Sequence, residues 1–455
     1  MLDTFFILRI GLLIGSFACS NAFALSPYST EELDALEKAF IQNINQSNEV
    51  ERNPLAVQYI NRLGHKLAHF GGLTPPTFFL VKSNEINAFA GPGGYIGVNT
   101  RLILASDNES ELAAVMAHEM AHVRLHHLYR MLEHQKQMKL PMIASLLASI
   151  ALGVINPTLA TGALMTTMGG FAQNNLNFTR SNEKEADRIG MEILIKSGFN
   201  PRSMSAFFKK MEENTRYYFT DNVPAILRTH PLDADRIAEA ENRTTHLPKK
   251  TYTSSNDYLL FKELLRVSTS SSQELLDFYH HQQQQGCKTT CEYGIALTLM
   301  DLNQYRQAAV HFENLARQDP NNLFYQLPLA QARIGQQLYD PALQQLATLK
   351  ADYPENYAVT VIYGQSLMAA GKPAEASMVL LKGTRQFKND LPLCSLLARA
   401  QADAGRKSYA YFTLAQCQLL QGKKQAAMQQ LQEAKKLAKK DAYLQARISA
   451  TLDEL

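Results

Sequence analysis

The 455-residue chain is 46% hydrophobic and 19% charged, enough to bury a sizeable core and to fill two domains beside a targeting segment. Its net charge of +3 is too small to argue for a nucleic-acid partner, and no nucleic-acid role is expected.

The chain opens on MLDTFFILRIGLLIGSFACSNAFALS, with an apolar stretch from Ile10 to Ala18 and Ala22-Phe23-Ala24 ahead of Leu25. Residues 1–24 read as a secretory signal peptide with an A-x-A cleavage site. Two alternatives stay open, lipidation of Cys19 and a retained anchor, and with them a peripheral membrane contact. The apolar stretch is short of the ~20 residues a membrane span needs.

Residues 25–250 are expected to form one domain of helices around one strand-like stretch. Within it, Gly91-Pro92-Gly93-Gly94 reads as a turn, and Tyr95-Ile96-Gly97-Val98-Asn99 as a strand. Ser106-x-x-Glu109 has the capping-box pattern, so a helix is predicted from Asp107 to about Gln135. His118 and His122 stand one turn apart on it and share a stripe with Val115 and Leu125. Two imidazoles placed side by side in that way suit one zinc ion, and Glu119 beside them is placed to take a proton from water. His126 and His127 read as surface bystanders.

Two histidines do not complete a catalytic zinc site, which usually has three protein ligands and an open position. A metzincin would carry Gly seven and His ten positions after His118, where this chain has Leu125 and Leu128. The best third ligand is Glu183 in SNEKEADRIGMEILIKSGFNP, on a stripe with Ala186, Gly190 and Ile193 in a helix that Ser181 is expected to cap. Glu185 lies off the stripe and is expected to face solvent. Asp187, one turn on, is positioned to orient a liganding histidine.

Between Lys139 and Arg180 no residue is charged. That segment is expected as a buried hairpin or a lid over a cleft, with insertion in a bilayer as the alternative. Further on, His230 precedes Pro231 in ILRTHPLDADR, at an expected loop-to-helix junction.

The polar stretch 251–275 is expected to be a linker, and 276–455 an all-helical domain. Beyond Cys19 the cysteines are Cys287, Cys291, Cys394 and Cys417. Pairing of Cys287 with Cys291 and of Cys394 with Cys417 is expected in an exported chain, free thiols being the alternative. In the same region Tyr305 falls 34 residues before Tyr339, Ala308 before Ala342 and Pro320 before Pro354. That period, with small residues where helices cross, resembles the tetratricopeptide repeat. Ala376 continues the series, after which the register breaks at Ala426, 50 residues on. Four repeats with an extra helix around LLARAQADAG are therefore expected.

HEMAH, followed by Glu183-Lys184-Glu185-Ala186-Asp187 and preceded by NAFAGPGGYIGVNTRLI, resembles the gluzincin peptidases of the CAAX-prenyl-protease and HtpX family. A signal peptide before and repeats after are similar to its periplasmic members. The resemblance covers nearly the whole chain. It implies a mainly α fold with a small β-sheet, an α+β gluzincin domain, followed by a tetratricopeptide-repeat solenoid. It further implies one Zn2+ per chain held by His118, His122 and Glu183, with Glu119 as general base. Substrate is implied to add as a strand along Tyr95–Asn99, a hairpin without substrate contact being the alternative. For His230 the resemblance implies a fourth ligand position that keeps the protease latent. Chemistry alone also allows an oxyanion donor or a plain surface histidine. The implied role is periplasmic quality control and assembly of outer-membrane β-barrel proteins, including the lipopolysaccharide-export barrel. Unfolded or stalled barrel proteins and the barrel-assembly machinery are the implied partners. A competing reading is an assembly scaffold whose protease is mostly shut.

Overall fold

The computed structural model describes residues 29–133, 172–217 and 224–455. The expected signal peptide lies outside them, as does nearly all of the uncharged segment after Lys139. Helix α1 (Thr30–Gln46) begins on a capping box between Ser29 and Glu32. Strand β1 (Val50–Glu51) leads to α2 (Pro54–Gly71), which starts on an Asn53 cap with Pro at its first position and stops at Gly72 in the left-handed conformation. Strands β2 (Thr77–Val81), β3 (Ala88–Ala90) and β4 (Tyr95–Asn99) complete a sheet in the order β1-β2-β4-β3. Only β2 and β4 run parallel.

Strand β4 is thus hydrogen-bonded on both sides, by β2 and by β3, and is not the edge expected to receive substrate. The short strands β1 and β3 are the edges, and β3 packs against the helix Glu109–Arg124. A 3-10 turn at Pro92–Gly94 returns the chain from β3 to β4, so the second strand of this hairpin lands inside the sheet.

After α3 (Thr100–Ala105) comes the histidine helix α4 (Glu109–Arg124), which starts two residues later than expected. The Ser106 hydroxyl donates back to the Leu102 carbonyl and closes α3, while Asn108 caps α4 by accepting from the Glu111 amide. Every residue from Ser110 to Ala121 is buried, so α4 is the central post of the domain. It ends at Arg124, well before Gln135, because His126 adopts a positive φ of 53° and the chain restarts as α5 (His127–Glu133).

Helix α6 (Ala172–Lys196) packs along α4. It passes straight through Ser181, which therefore caps nothing; no Gly or Pro interrupts the run from 172 to 189. At Gly190 the two helices touch: a Cβ there would sit 3.1 Å from the Cα and N of His118. Helices α7 (Arg202–Tyr217), α8 (Ala225–Thr229) and α9 (Ala234–Thr245) close the other side of the site.

The stretch expected as a linker is largely helical, Asn256–Thr269, with Tyr258, Leu260, Phe261, Leu264 and Leu265 buried. Its Ser and Thr residues gather at the helix ends. Beyond it, antiparallel helix pairs repeat without a break. First helices start at Thr289, Leu323, Tyr357 and Leu391 and second helices at Tyr305, Tyr339, Pro373 and Lys407, each 34 residues after the last. Helices Lys424–Leu437 and Ala442–Asp453 make a fifth pair. The expected irregular insertion is absent: LLARAQADAG is an ordinary first helix, and the small residue that continues Ala308, Ala342 and Ala376 is Ala410, buried like them. Cys287 is bonded to Cys291 and Cys394 to Cys417, as expected.

Candidate metal centre

Helix α4 presents His118 and His122 from one face, with ring centroids 4.7 Å apart. Helix α6, brought close by Gly190, lays Glu183 against both: its carboxylate lies 3.3 Å from His118 Nε2 and 3.5 Å from His122 Nε2. The loop after α8 adds His230, whose Nδ1 is 3.0 Å from Glu183 Oε1 and 3.4 Å from His118 Nε2. With its side chain 14% exposed, His230 is no plain surface histidine.

Four donor atoms, one from each residue, fall within 4.8 Å of one another. The neighbouring pairs are 3.0 to 3.5 Å apart. Ligands ~2 Å from a tetrahedral zinc are separated by ~3.3 Å, and these five contacts, which use both oxygens of Glu183, are of that size. Glu119, next to His118, is 1% exposed, and neither carboxylate oxygen has a hydrogen-bond partner among the described residues. A buried, unsatisfied carboxylate is costly, which fits an acceptor kept for a proton that arrives with the reaction.

Charge at the site is arranged for a cation. Burial opposes a proton on His118, yet Asp187 and Glu183 hold its titration up to about 10. Burial is likewise outweighed at His230, which Glu183 and Glu119 raise. His122 is driven well below the ordinary imidazole range by burial and by the charge on His118. Glu183, although buried, is held well below the usual carboxylate range by His230 and His118. Protons on two histidines thus supply positive charge that a divalent ion would replace, releasing them.

Around this group stands a second set of residues. Asp187 Oδ1 lies 3.0 Å from His118 Nδ1, as expected for an orienting carboxylate. Arg236 was not anticipated. Its Nε and Nη2 grip Asp187 at 2.7 and 2.9 Å, its Nη1 reaches Glu183 Oε2 at 3.0 Å, and it is 2% exposed. It lies in the same ILRTHPLDADR segment as His230, and a lone Arg in the first turn of a short helix was the available signal. His127 and Glu185 also differ from expectation. His127 is buried against His122, and Glu185 accepts from it and from Arg130 rather than standing free in solvent. His126 is exposed, as expected.

A small, mainly apolar cleft beside Glu119 and His230 is lined by Val115, Phe207, Met211, Ile226 and Leu232.

Residues 54–244 match the model of peptidase family M48. The chain is 33% identical to the beta-barrel assembly-enhancing protease of Escherichia coli (strain K12), over 91% of this chain and 86% of that protein. It is 32% identical to a putative beta-barrel assembly-enhancing protease of Vibrio cholerae, over 92% of this chain and 87% of the relative. The corresponding protease of Yersinia pestis is 31% identical, over 94% and 89%. The histidine pair, the glutamate of α6 and the repeats after them lie within one shared span, and the chain belongs to peptidase family M48, as a metallopeptidase of the group these relatives form.

Proposed function

We propose that the chain is a zinc endopeptidase that also acts as a chaperone in the periplasm, on outer-membrane β-barrel proteins that are unfolded or stalled in assembly, the lipopolysaccharide-export barrel among them. The convergence of four donors beside the buried Glu119 carboxylate carries the catalytic half of this reading. The names of its relatives, which span nearly its whole length, support the other half.

His118, His122 and Glu183 hold the ion, and Asp187 with Arg236 fixes the ring of His118. A bound zinc supplies Lewis acidity at the scissile carbonyl. Glu119 takes a proton from the attacking water and passes it to the departing amine. An extended substrate adds to β3, the edge strand packed on α4, and its side chains meet the apolar lining beside Glu119. His230 takes the fourth donor position, which substrate or water would need, so hydrolysis waits until it withdraws. The repeats would recruit the barrel precursors and the barrel-assembly machinery.

That arrangement also favours a second reading, an assembly scaffold whose protease is mostly latent. Zinc content and casein cleavage of Glu183→Ala and His230→Ala test the proposal. Zinc should be lost in the first, and cleavage should rise several-fold in the second. A Glu183→Ala protein that keeps its zinc would overturn the ligand set, and a fall in cleavage on removing His230 would make it an oxyanion donor. A Glu119→Gln protein that still supports barrel assembly in full would give the scaffold role precedence.

A further inference from the structure

His127 Nδ1 lies 2.8 Å from Nδ1 of His122, and its Nε2 lies 3.3 Å from Glu185 Oε2. The same oxygen is 3.3 Å from Arg130 Nη1. In an uninterrupted helix a residue five positions on is rotated by ~140°, so His127 would point away from His122. The contact exists because α4 stops at Arg124 and His126 takes up a left-handed φ of 53°, a conformation that non-glycine residues rarely adopt. The chain then swings His127 back until it is 5% exposed and stacked edge-on to His122, with ring centroids 4.9 Å apart.

We infer that His127 and Glu185 are positioning residues of the metal centre, a two-step support that fixes the ring and tautomer of His122 as Asp187 and Arg236 fix those of His118. The inference rests on the metal-site reading above. Nε2 of His122 faces the donor group, so its proton belongs on Nδ1. That N–H donates to Nδ1 of His127. The neutral ring of His127 then carries its proton on Nε2 and donates it to Glu185, which Arg130 holds from the other side. Every proton in the chain has one donor and one acceptor, and both liganding histidines end on a carboxylate–arginine pair.

The test uses the full-length protein, with zinc affinity measured by chelator competition and ligand geometry read from the visible spectrum of bound Co2+. His127→Leu should weaken zinc binding by ~10–100-fold and change the cobalt spectrum. His127→Asn keeps an acceptor close to the position of Nδ1 and should recover most of that loss. Glu185→Ala, at a half-exposed position, should weaken zinc by a smaller factor while leaving the melting temperature of the metal-free protein unchanged. If His127→Leu does not fold, this last variant decides. Zinc affinity within twofold of wild type in whichever variant decides, with an unchanged cobalt spectrum, would overturn the inference. A wild-type protein that takes up no zinc would instead overturn the metal-site reading beneath it.

Discussion

Two buried glutamates of this site have opposite surroundings. Glu183 is ringed by His118, His122, His230 and Arg236, while Glu119 has, among the described residues, only His230 Nε2 near it, 3.5 Å from its Oε1. On the proposed reading the enclosed carboxylate is a ligand and the one with the fewer partners is the base. The histidines make metal binding depend on pH. In the metal-free protein His118 titrates near 10 instead of near 6.5, so at neutral pH zinc must displace its proton. The stabilising effect of that proton is fully present below pH 6.5 and is lost as pH rises through 10. Zinc affinity is therefore expected to climb by ~10-fold or more per pH unit between pH 6 and 8, as chelator competition across that range would show. A flat profile would contradict the charge arrangement. At this scale the pair one turn apart, the glutamate between them and Glu183 on an apolar stripe were legible, because helical period alone sets which residues share a face. His127, Glu185 and Arg236 were not, since their roles depend on a helix break at His126 and on a loop that brings α9 onto α6.

Between elements, the closest approach is at Gly190, where α6 meets the backbone of α4. Gly190→Val should cost about 1–3 kcal/mol by overpacking and should weaken zinc binding by pushing Glu183 away from the histidines. Thermal melting and zinc content of that one variant would check both, and a variant with normal zinc content would show that the helices have room to give. In the repeats, Cys394–Cys417 ties a first helix to the second helix of the same pair. Loop-closure entropy gives ~3 kcal/mol for a bridge of this span and ~2 for the shorter Cys287–Cys291. Replacing Cys394 and Cys417 together by Ser should therefore lower denaturant stability more than replacing the first pair. The 34-residue period was legible in the sequence, but its continuation was misread. Ala426 sits in a first helix and Ala376 in a second, so their spacing is no break in register; Ala410 holds the matching place. Likewise β4 was legible as a strand but not as an interior one, because pairing with β2 depends on a long-range contact that local pattern does not carry.

Across the whole molecule, the solenoid folds back onto the peptidase domain at both ends. Near its start, Tyr59 of α2 stacks on Phe261 with ring centroids 4.3 Å apart, and Glu109, the first residue of α4, accepts from Tyr59 Oη and from the amide of Ser255. Toward its far end, Asn45 and Gln46 of α1 donate to the carbonyls of Leu420 and Gln421 at 3.0 and 2.7 Å, and Gln42 reaches Leu419 at 3.4 Å. These amides satisfy carbonyls that the end of helix Lys407–Leu420 would otherwise leave open. Changing Gln42, Asn45 and Gln46 together to Ala should speed amide hydrogen exchange across residues 407–421 without altering zinc content. Nothing in local sequence pattern pairs residues more than 370 positions apart, and these contacts were not foreseen.

The central claim is that this site is a zinc peptidase centre with Glu119 as its base, and one comparison tests it most directly: zinc content and casein cleavage of Glu119→Gln beside wild type. One zinc per chain in both proteins, with cleavage reduced by ~10²–10⁴-fold in the variant, is the predicted result. Cleavage at the wild-type rate in a zinc-loaded Glu119→Gln protein would contradict it.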